Sequence, residues 1–225
     1  MQRIPFLRTI PKSLTKTITA ICCDLYDGYI QAARVVYGDN ISIVADRFHV
    51  SKLYRKSLIS LRKSELKRLR KELSAEEYNK LKPAIALLKR QRDYFTDDEN
   101  RIVNALFSYS PKLKLAYMLS HKLTSIFNSN ISKQEGKEKM MSWIDEVLVT
   151  GLKCLNRFIK TLNKYIDVIS NYFIDRNNSG FVEGFNNKVK VLKRRCYGLA
   201  NKVRLFQRII LDNLGFERFA PGIAR

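Results

Sequence analysis

Two short apolar runs near the start of the chain, separated by a segment with helical periodicity, predict a βαβ unit. The runs TITAICCD (residues 17–24) and ISIVAD (residues 41–46) are β-rich, and each ends in an acid. Between them, apolar residues recur at helical spacing up to Gly38, and glycine commonly follows a helix C-terminus. Strands joined by one helix run parallel, so we expect Asp24 and Asp46 at the carboxyl edge of an α/β sheet, where ligands bind.

The pattern changes to long, charged, helix-periodic segments from about residue 49 to residue 173, with no convincing strand. We interpret this part as an all-helical block inserted into the α/β unit. Breaks between its helices are expected near Ser74, Pro83, Thr96, Pro111 and Ser129.

The charge of the chain points to a polyanionic partner. Its 225 residues include 42 Lys and Arg against 21 Asp and Glu, a formal net charge of +21. Such a surplus repels itself in a compact protein unless a polyanion neutralises it, and nucleic acid is the first candidate. We expect no membrane partner, because no apolar run approaches the roughly 20 residues that span a bilayer. We also expect no secretory signal, because the N-terminal stretch contains two prolines and no apolar h-region.

The four cysteines, Cys22, Cys23, Cys154 and Cys196, show no C-x-x-C spacing. We expect reduced, mostly buried thiols in a cytoplasmic protein. The two histidines of the chain are too few for a His-rich metal site.

Two basic regions are candidates for binding a polyanion. The stretch from Ser51 to Arg92 contains fourteen Lys or Arg and four Glu, a composition more typical of a solvated helix face than of a binding site. Between Gly184 and Leu211 there are eight Lys or Arg and no acid, interleaved with aromatic residues. The second surface is suited to phosphates rather than to base edges.

A helix is predicted to open at Ser179, with Glu183 near its beginning. Its apolar residues share one face, which could pack on a sheet, whereas Glu183 lies on the opposite face with Asn187, Lys190 and Arg194. An acid near a helix N-terminus is stabilised by the macrodipole, and that ordinary interpretation stays open. The alternative is metal binding, because a carboxylate within a polyanion-binding surface repels its ligand unless a cation intervenes.

Mg²⁺ is the cation that this alternative favours, because it binds one or two carboxylates together with phosphate oxygens. Asp24 at a strand end and Glu183 on a distant helix could hold two such ions for phosphoryl transfer. Acids at strand ends and helix starts are nevertheless common without any metal.

Four segments carry a resemblance to a known family: DLYDGY, IVADRFHV, FSYSPKLKLAY and GFVEGFNNKVKVLKRRCYG. In their order and separation they resemble the DDE transposases of the ISL-three insertion-sequence family, from roughly Phe6 to Leu214. The resemblance implies a ribonuclease-H-like fold with an α-helical insertion between its fifth strand and the helix that bears the catalytic glutamate.

The patterns predict a mostly helical α/β fold with a large all-α insertion, and the resemblance implies that its sheet is a partial ribonuclease-H-like sheet. Residues 1–50 and 174–225 would form the partial catalytic core, and residues 51–173 the inserted helical region.

The resemblance also implies roles for individual residues. Asp24 matches the family's second metal-binding aspartate and Glu183 its third acid, and both would be catalytic metal ligands. Asp46 and His49 match an acid-x-x-His motif that accompanies the triad; His49 has either a direct part in the chemistry or only a helix-start role against Asp46. Trp143 is expected in a helix core rather than in a contact with bases.

One part of the family pattern has no counterpart here. The first catalytic aspartate of the family lies on the first strand of its sheet, but none of the 23 residues before Asp24 is an acid. The resemblance therefore implies the C-terminal part of a transposase whose catalytic site is incomplete as it stands.

These observations lead to one expected function and one alternative. The expected function is DNA transposition by metal-dependent strand cleavage and transfer in the bacterial cytoplasm, with Mg²⁺ as cofactor and a second copy or an intact transposase as a further partner. The alternative is a non-catalytic nucleic-acid-binding remnant or regulator. The residues expected to contact DNA are Asn187, Lys188, Lys190, Lys193, Arg194, Arg195, Lys202 and Arg204.

Overall fold

The computed structural model describes residues 3–88 and 95–219, most of which are helical. The chain divides into two compact units, Met1–Asn178 and Ser179–Arg225. The last residues of the basic stretch that was expected to end at Arg92 lie outside the described residues.

The first unit begins with the predicted βαβ arrangement. Its elements are α1 (Arg3–Leu7), α2 (Lys12–Thr15), β1 (Ala20–Cys23), α3 (Asp27–Tyr37) and β2 (Ser42–Ala45). The strands pair in parallel, with Cys23 opposite Ala45, so the prediction of a parallel pair is confirmed. Gly38 ends α3 with φ of 84°, a conformation that side-chain-bearing residues rarely adopt.

Helices follow without a further strand among the described residues of this unit. They are α4 (Arg47–Glu72), α5 (Ala75–Leu87), α6 (Asp97–Tyr109), α7 (Pro111–Asn128), α8 (Lys133–Val149), α9 (Asn156–Lys164), α10 (Ile166–Ser170) and α11 (Tyr172–Asp175), with a 3-10 turn at Lys153–Leu155. Ser74, Thr96 and Ser132 each begin a helix in a capping box, in which serine or threonine and a glutamate three residues later satisfy the free N–H groups.

The break expected at Pro83 is wrong, because α5 continues through this residue. Pro83 itself is exposed, whereas Leu81 and Ala84 beside it are buried. Burial of these neighbours offsets the hydrogen bond that proline cannot donate within a helix.

The larger of two apolar clusters among the described residues joins β2 to the helices that follow it, whereas Ile30, Ala33 and Ile43 form a smaller cluster between α3 and β2. Val44 and Ala45 of the strand belong to the same buried cluster as residues of α4 to α11. Trp143 lies at its centre, fully buried, and its indole N–H donates to the Leu119 carbonyl at 2.9 Å. Trp143 is therefore a core residue, as expected.

The described residues of the second unit form two helices, α12 (Gly180–Arg195) and α13 (Lys202–Phe219). Gly198, at φ of 83°, follows the end of α12, and Asn201 begins α13 by accepting the Arg204 N–H at 3.1 Å. Val182 and Phe185, at the beginning of the apolar face of α12, are exposed, whereas Leu192 further along is buried.

The architecture is thus the expected mostly helical α/β class with a small parallel sheet of two strands. No helix in the described part of the chain has the length and apolar character needed to cross a membrane.

Candidate metal centre and nucleic-acid interface

Three potential metal ligands meet where the two strands end. Asp24 follows β1, Asp46 follows β2, and His49 lies in the first turn of α4. One ligand atom from each of these side chains lies within 4.8 Å of the other two. The parallel register brings them together, because both carboxyl ends lie at the same edge of the sheet.

Asp24 and His49 interact directly. The His49 Nε2 lies 2.9 Å from Asp24 Oδ1, and the Asp24 side chain is 49% exposed. An imidazole that donates to a carboxylate fixes the orientation of that carboxylate. The carboxylate of Asp24 can therefore still accept a further ligand at the edge of the sheet, where it is exposed.

Asp46 is the buried member of the cluster, only 1% exposed. Its backbone N–H donates to the Cys23 carbonyl at 3.0 Å, which extends the pairing of the strands. Its Oδ1 accepts the Phe48 N–H at 3.1 Å and thereby begins α4. One residue thus terminates the sheet and begins the helix that carries His49.

This donor set fits a hard divalent cation. Mg²⁺ and Mn²⁺ both prefer carboxylate oxygens, which Asp24 and Asp46 supply. The contact between His49 and Asp24 is that of a residue that orients a metal-binding carboxylate. Asp24 and Asp46 are accordingly the residues that could hold the ion.

The neighbouring thiols are unsuited to this chemistry. Burial, followed by the negative charges of Asp46, Cys23 and Asp24, raises the pKa of Cys22 to about 12. Burial and the charge of Asp24 raise the pKa of Cys23 to about 11. Both thiols therefore stay protonated at neutral pH. All four cysteines are free, and they are half-buried rather than mostly buried as expected.

Side chains from distant parts of the first unit hold the junction between β2 and α4. Arg47 donates to the Tyr172 hydroxyl at 3.1 Å and to Asn128 Oδ1 at 2.5 Å, and Asn171 Nδ2 donates to the Ile43 carbonyl at 2.7 Å. Sequence reasoning missed this role of Arg47, although the residue stands inside the DRFH motif. No local pattern predicts the hydrogen-bond partners of Arg47, because they lie 81 and 125 residues away in the sequence.

Glu183 lies in the first turn of α12, as expected, and its N–H donates to the Ser179 carbonyl at 2.9 Å. Its side chain belongs to the second unit, whereas Asp24, Asp46 and His49 belong to the first. A common metal site for Asp24 and Glu183 therefore stays a prediction.

The residues expected to contact DNA lie on α12 and α13. Seven of them are exposed: Asn187, Lys190, Lys193, Arg194, Arg195, Lys202 and Arg204. Lys190, Lys193 and Arg194 line one open depression of about 380 Å³. Three neighbouring cations on an open surface are suited to a phosphate.

Lys188 differs from the other residues of this group. Its ammonium pairs with Asp212 at 2.7 Å and donates to Asn213 Oδ1 at 2.6 Å, so it connects α12 with α13. The hydrogen bond from Lys188, followed by the nearby positive charges, lowers the pKa of Asp212. Lys188 thus holds the two helices together, and its contact with DNA stays a prediction.

Comparisons with known proteins confirm the family resemblance seen in the sequence. A parallel pair of strands with acids at its carboxyl edge defines an α/β protein with a candidate metal centre. The model of the ISL3 (ISL-three) DDE transposase family, described as "Transposase", matches residues 3–209. The chain belongs to this family.

A curated relative gives the same result. The chain is similar to the transposase for insertion sequence element IS1001 of Bordetella parapertussis, at 26% identity over 208 residues. The match covers 91% of this chain and 50% of the relative, so the chain spans about half the length of that protein. No solved structure matches the chain.

Proposed function

We propose that this chain takes part in DNA transposition by an insertion-sequence transposase, through metal-dependent cleavage and transfer of DNA strands in the bacterial cytoplasm. The observation that carries the proposal is the meeting of Asp24, Asp46 and His49 at the carboxyl edge of two parallel strands. Membership of the family supports it, as does the similarity to a transposase of known name.

The roles of the residues follow from their positions. Asp24 and Asp46 would hold Mg²⁺, with His49 orienting Asp24 through its Nε2. The ion would supply Lewis-acid stabilisation of the charge that develops on phosphate oxygens. Glu183 would join this site as the family's third acid, and a ribonuclease-H-like arrangement would bring the two together.

Metal binding is the most direct test. We expect the chain to bind Mn²⁺, measured by electron paramagnetic resonance, and Asp24→Asn and Asp46→Asn to weaken the binding at least tenfold, as loss of a ligand should. Asparagine also begins helices well, so Asp46→Asn should keep α4 in place. Asp145→Asn, an exposed acid on α8, is the control for charge.

Two results would change the proposal, one by removing the site and the other by removing Glu183 from it. Mn²⁺ affinity that is equal in wild type, Asp24→Asn and Asp46→Asn would remove the metal centre. If Asp24→Asn and Asp46→Asn lose Mn²⁺ affinity but Glu183→Gln does not, the metal centre stands and Glu183 is not one of its ligands.

The exposed cations of α12 would position the phosphate backbone of DNA. Because backbone contacts carry little sequence information, affinity for duplex DNA should fall steeply with salt and vary little with sequence. Lys190→Ala with Arg194→Ala should flatten the slope of log K against log salt by about 2, since each phosphate contact contributes about 0.9.

The matched control for this test is Arg55→Ala with Lys56→Ala, which removes the same charge from exposed positions of α4. An equal effect of both pairs would show that only net charge matters. Strong preference for one DNA sequence, undiminished in high salt, would contradict backbone recognition.

We further propose that residues 1–225 alone are catalytically incomplete. The family's site uses a triad of acids, of which Asp24 and Glu183 match the second and third; residues 1–23 contain no acid to match the first, and Asp46 matches an accessory motif outside the triad. Loss of a ligand shared by two ions weakens metal binding and in-line geometry. Purified chain with Mg²⁺ or Mn²⁺ and DNA carrying the ends of the element should therefore show no strand cleavage. Cleavage that disappears in Glu183→Ala would refute this proposal, and would show that Asp46 replaces the missing first aspartate as the third ligand beside Asp24 and Glu183.

A non-catalytic DNA-binding protein that regulates an intact transposase is the second candidate. It is favoured by the position of the exposed cations on α12 and α13, whose DNA contacts would not require a metal. Such a protein could compete for DNA or form mixed oligomers with the transposase. Salt-sensitive DNA binding that is unchanged in Asp24→Asn and never accompanied by cleavage would support this candidate.

A further inference from the structure

We infer that Arg47 is a positioning residue: it anchors the junction between β2 and α4 so that Asp46 and His49 are held against Asp24. The inference rests on the metal site proposed above. It assigns to the arginine of the DRFH segment a role that acts through its neighbours rather than on DNA or metal.

The contacts of Arg47 join three helices. Its Nη1 donates to the Tyr172 hydroxyl at 3.1 Å, at the beginning of α11, and its Nη2 donates to Asn128 Oδ1 at 2.5 Å, at the end of α7. The guanidinium also lies 5.8 Å from the centre of the Phe127 ring and 5.7 Å from that of Tyr172. A planar guanidinium can make these fixed contacts together, whereas a lysine ammonium cannot.

The same part of the chain also holds the strand before Asp46. Asn171, next to Tyr172, donates its Nδ2 to the Ile43 carbonyl of β2 at 2.7 Å. Asn171 and Tyr172 therefore hold the chain on both sides of Asp46. Asn171 bonds β2 before it, and Tyr172 bonds Arg47 after it. Neither the strand end nor the helix start can shift without breaking one of these contacts.

The anchor is itself reinforced by Arg176. This residue donates to the Ser129 carbonyl just after α7, and its guanidinium lies 5.9 Å from the centre of the Tyr172 ring. Tyr172 is thus flanked by the guanidinium groups of Arg47 and Arg176. Such an arrangement fixes the ring that receives the Arg47 hydrogen bond.

A displacement of Arg47 would also displace Asp46 and His49, because all three residues are linked through the first turn of α4. The Asp46 carbonyl accepts the N–H groups of both His49 and Val50, and Asp46 Oδ1 accepts that of Phe48. A tilt of this turn displaces the His49 imidazole from Asp24 Oδ1, which is only 2.9 Å away. Partners that orient metal ligands typically change metal affinity by about 10- to 100-fold when they are lost.

The test compares Arg47→Lys with Arg55→Lys in the full chain. Both keep the charge, and Arg55 is an exposed residue of the same helix. We expect Arg47→Lys to weaken Mn²⁺ binding about tenfold. We also expect the NMR signal of the His49 Nε2–H, assigned against His49→Gln, to shift and to exchange faster with water. Arg55→Lys should leave both unchanged.

Tyr172→Phe is the second variant, because it removes only the hydroxyl that accepts from Arg47 and keeps the ring. It should change the His49 signal in the same direction and by less than Arg47→Lys. An unchanged His49 signal in both variants overturns the inference, as does wild-type Mn²⁺ affinity in Arg47→Lys. Absence of Mn²⁺ binding to wild type would instead remove the proposed metal site, and the His49 signal alone would then decide the role of Arg47.

Discussion

The two compact units of this chain place their apolar side chains differently. In the first, Trp143, Leu106, Met140 and Leu155 are fully buried in one core that joins a strand to the helices around it. In the second, Leu192 is the buried residue among the side chains of residues 179–215, whereas Phe181 is 85% and Phe206 64% exposed. Ser179–Arg225 also carries ten Lys or Arg against three acids.

Because of this difference, substitutions in the two units should affect different properties of the protein. Stability scales with the apolar surface removed from water, so core substitutions in the first unit should change the free energy of unfolding. Substitutions of exposed residues on α12 and α13 should instead change the binding of a polyanion, because most of the side chains described there face solvent.

The largest effect is expected at Trp143. Its ring packs edge-on against Tyr54 and Phe158, and its indole N–H donates to the Leu119 carbonyl. Trp143→Ala should lower the free energy of unfolding by about 3–5 kcal/mol, measured by urea denaturation. Phe206→Ala, the exposed counterpart, should change it by less than about 0.5 kcal/mol. Equal losses at both positions would contradict the division between the units.

A pair of helical glycines gives the next comparison. A Cβ on Gly136 of α8 would lie 2.3 Å from Phe173 Cδ2, whereas one on Gly184 of α12 would meet nothing within 4 Å. Gly136→Ala should therefore destabilise the chain by about 1–3 kcal/mol. Gly184→Ala should be neutral or stabilise α12 by up to about 1 kcal/mol, since alanine is the better helix former. Thermal unfolding of the two variants measures the difference, and destabilisation by Gly184→Ala would show an unseen close contact.

The smallest effect concerns a buried acid of α4. Burial favours a raised pKa at Glu65, but hydrogen bonds from Ser110 and Arg68 outweigh it and lower the pKa below the ordinary value. A lowered folded-state pKa means stability that is present above the unfolded-state pKa, near 4.3, and lost as the pH falls through the folded value.

Ser110→Ala tests this contribution. It should cost about 1–2 kcal/mol at pH 7, because Glu65 loses a buried partner, and it should reduce the decline of stability below pH 4.3. Ser108→Ala, at an exposed hydroxyl of α6, is the matched control. If the stability of Ser110→Ala falls with decreasing pH as steeply as that of wild type, other carboxylates cause this loss of stability.

Local pattern was sufficient to predict the βαβ unit. Short apolar runs, a glycine at the end of α3 and an acid after each strand are all features of a few neighbouring residues. The cluster at the sheet edge was therefore predictable in outline, because parallel strands must end on the same side. The sequence suggested a contact between His49 and Asp46, but it could not predict the contact between His49 and Asp24. That contact depends on the direction of the first turn of α4.

Pro83 shows the limit of local pattern. Proline is a strong helix breaker in isolation, yet α5 passes through it because the residues beside it are buried. The expected domain division and the common site of Asp24 and Glu183 stay predictions for a related reason. Both depend on the relative placement of parts that are distant in the sequence, which no local period encodes.

The sequence by itself determined the class of this protein, its two strand-end acids and its basic C-terminal helices, because periodicity, charge and short motifs are local properties. Only the tertiary structure decided which residues support the candidate site. Arg47 reaches Asn128 and Tyr172, and Asn171 reaches Ile43, across 81 to 128 residues of chain. Such contacts exist only after the helices have packed, because packing rather than sequence distance brings their donors and acceptors within hydrogen-bonding range.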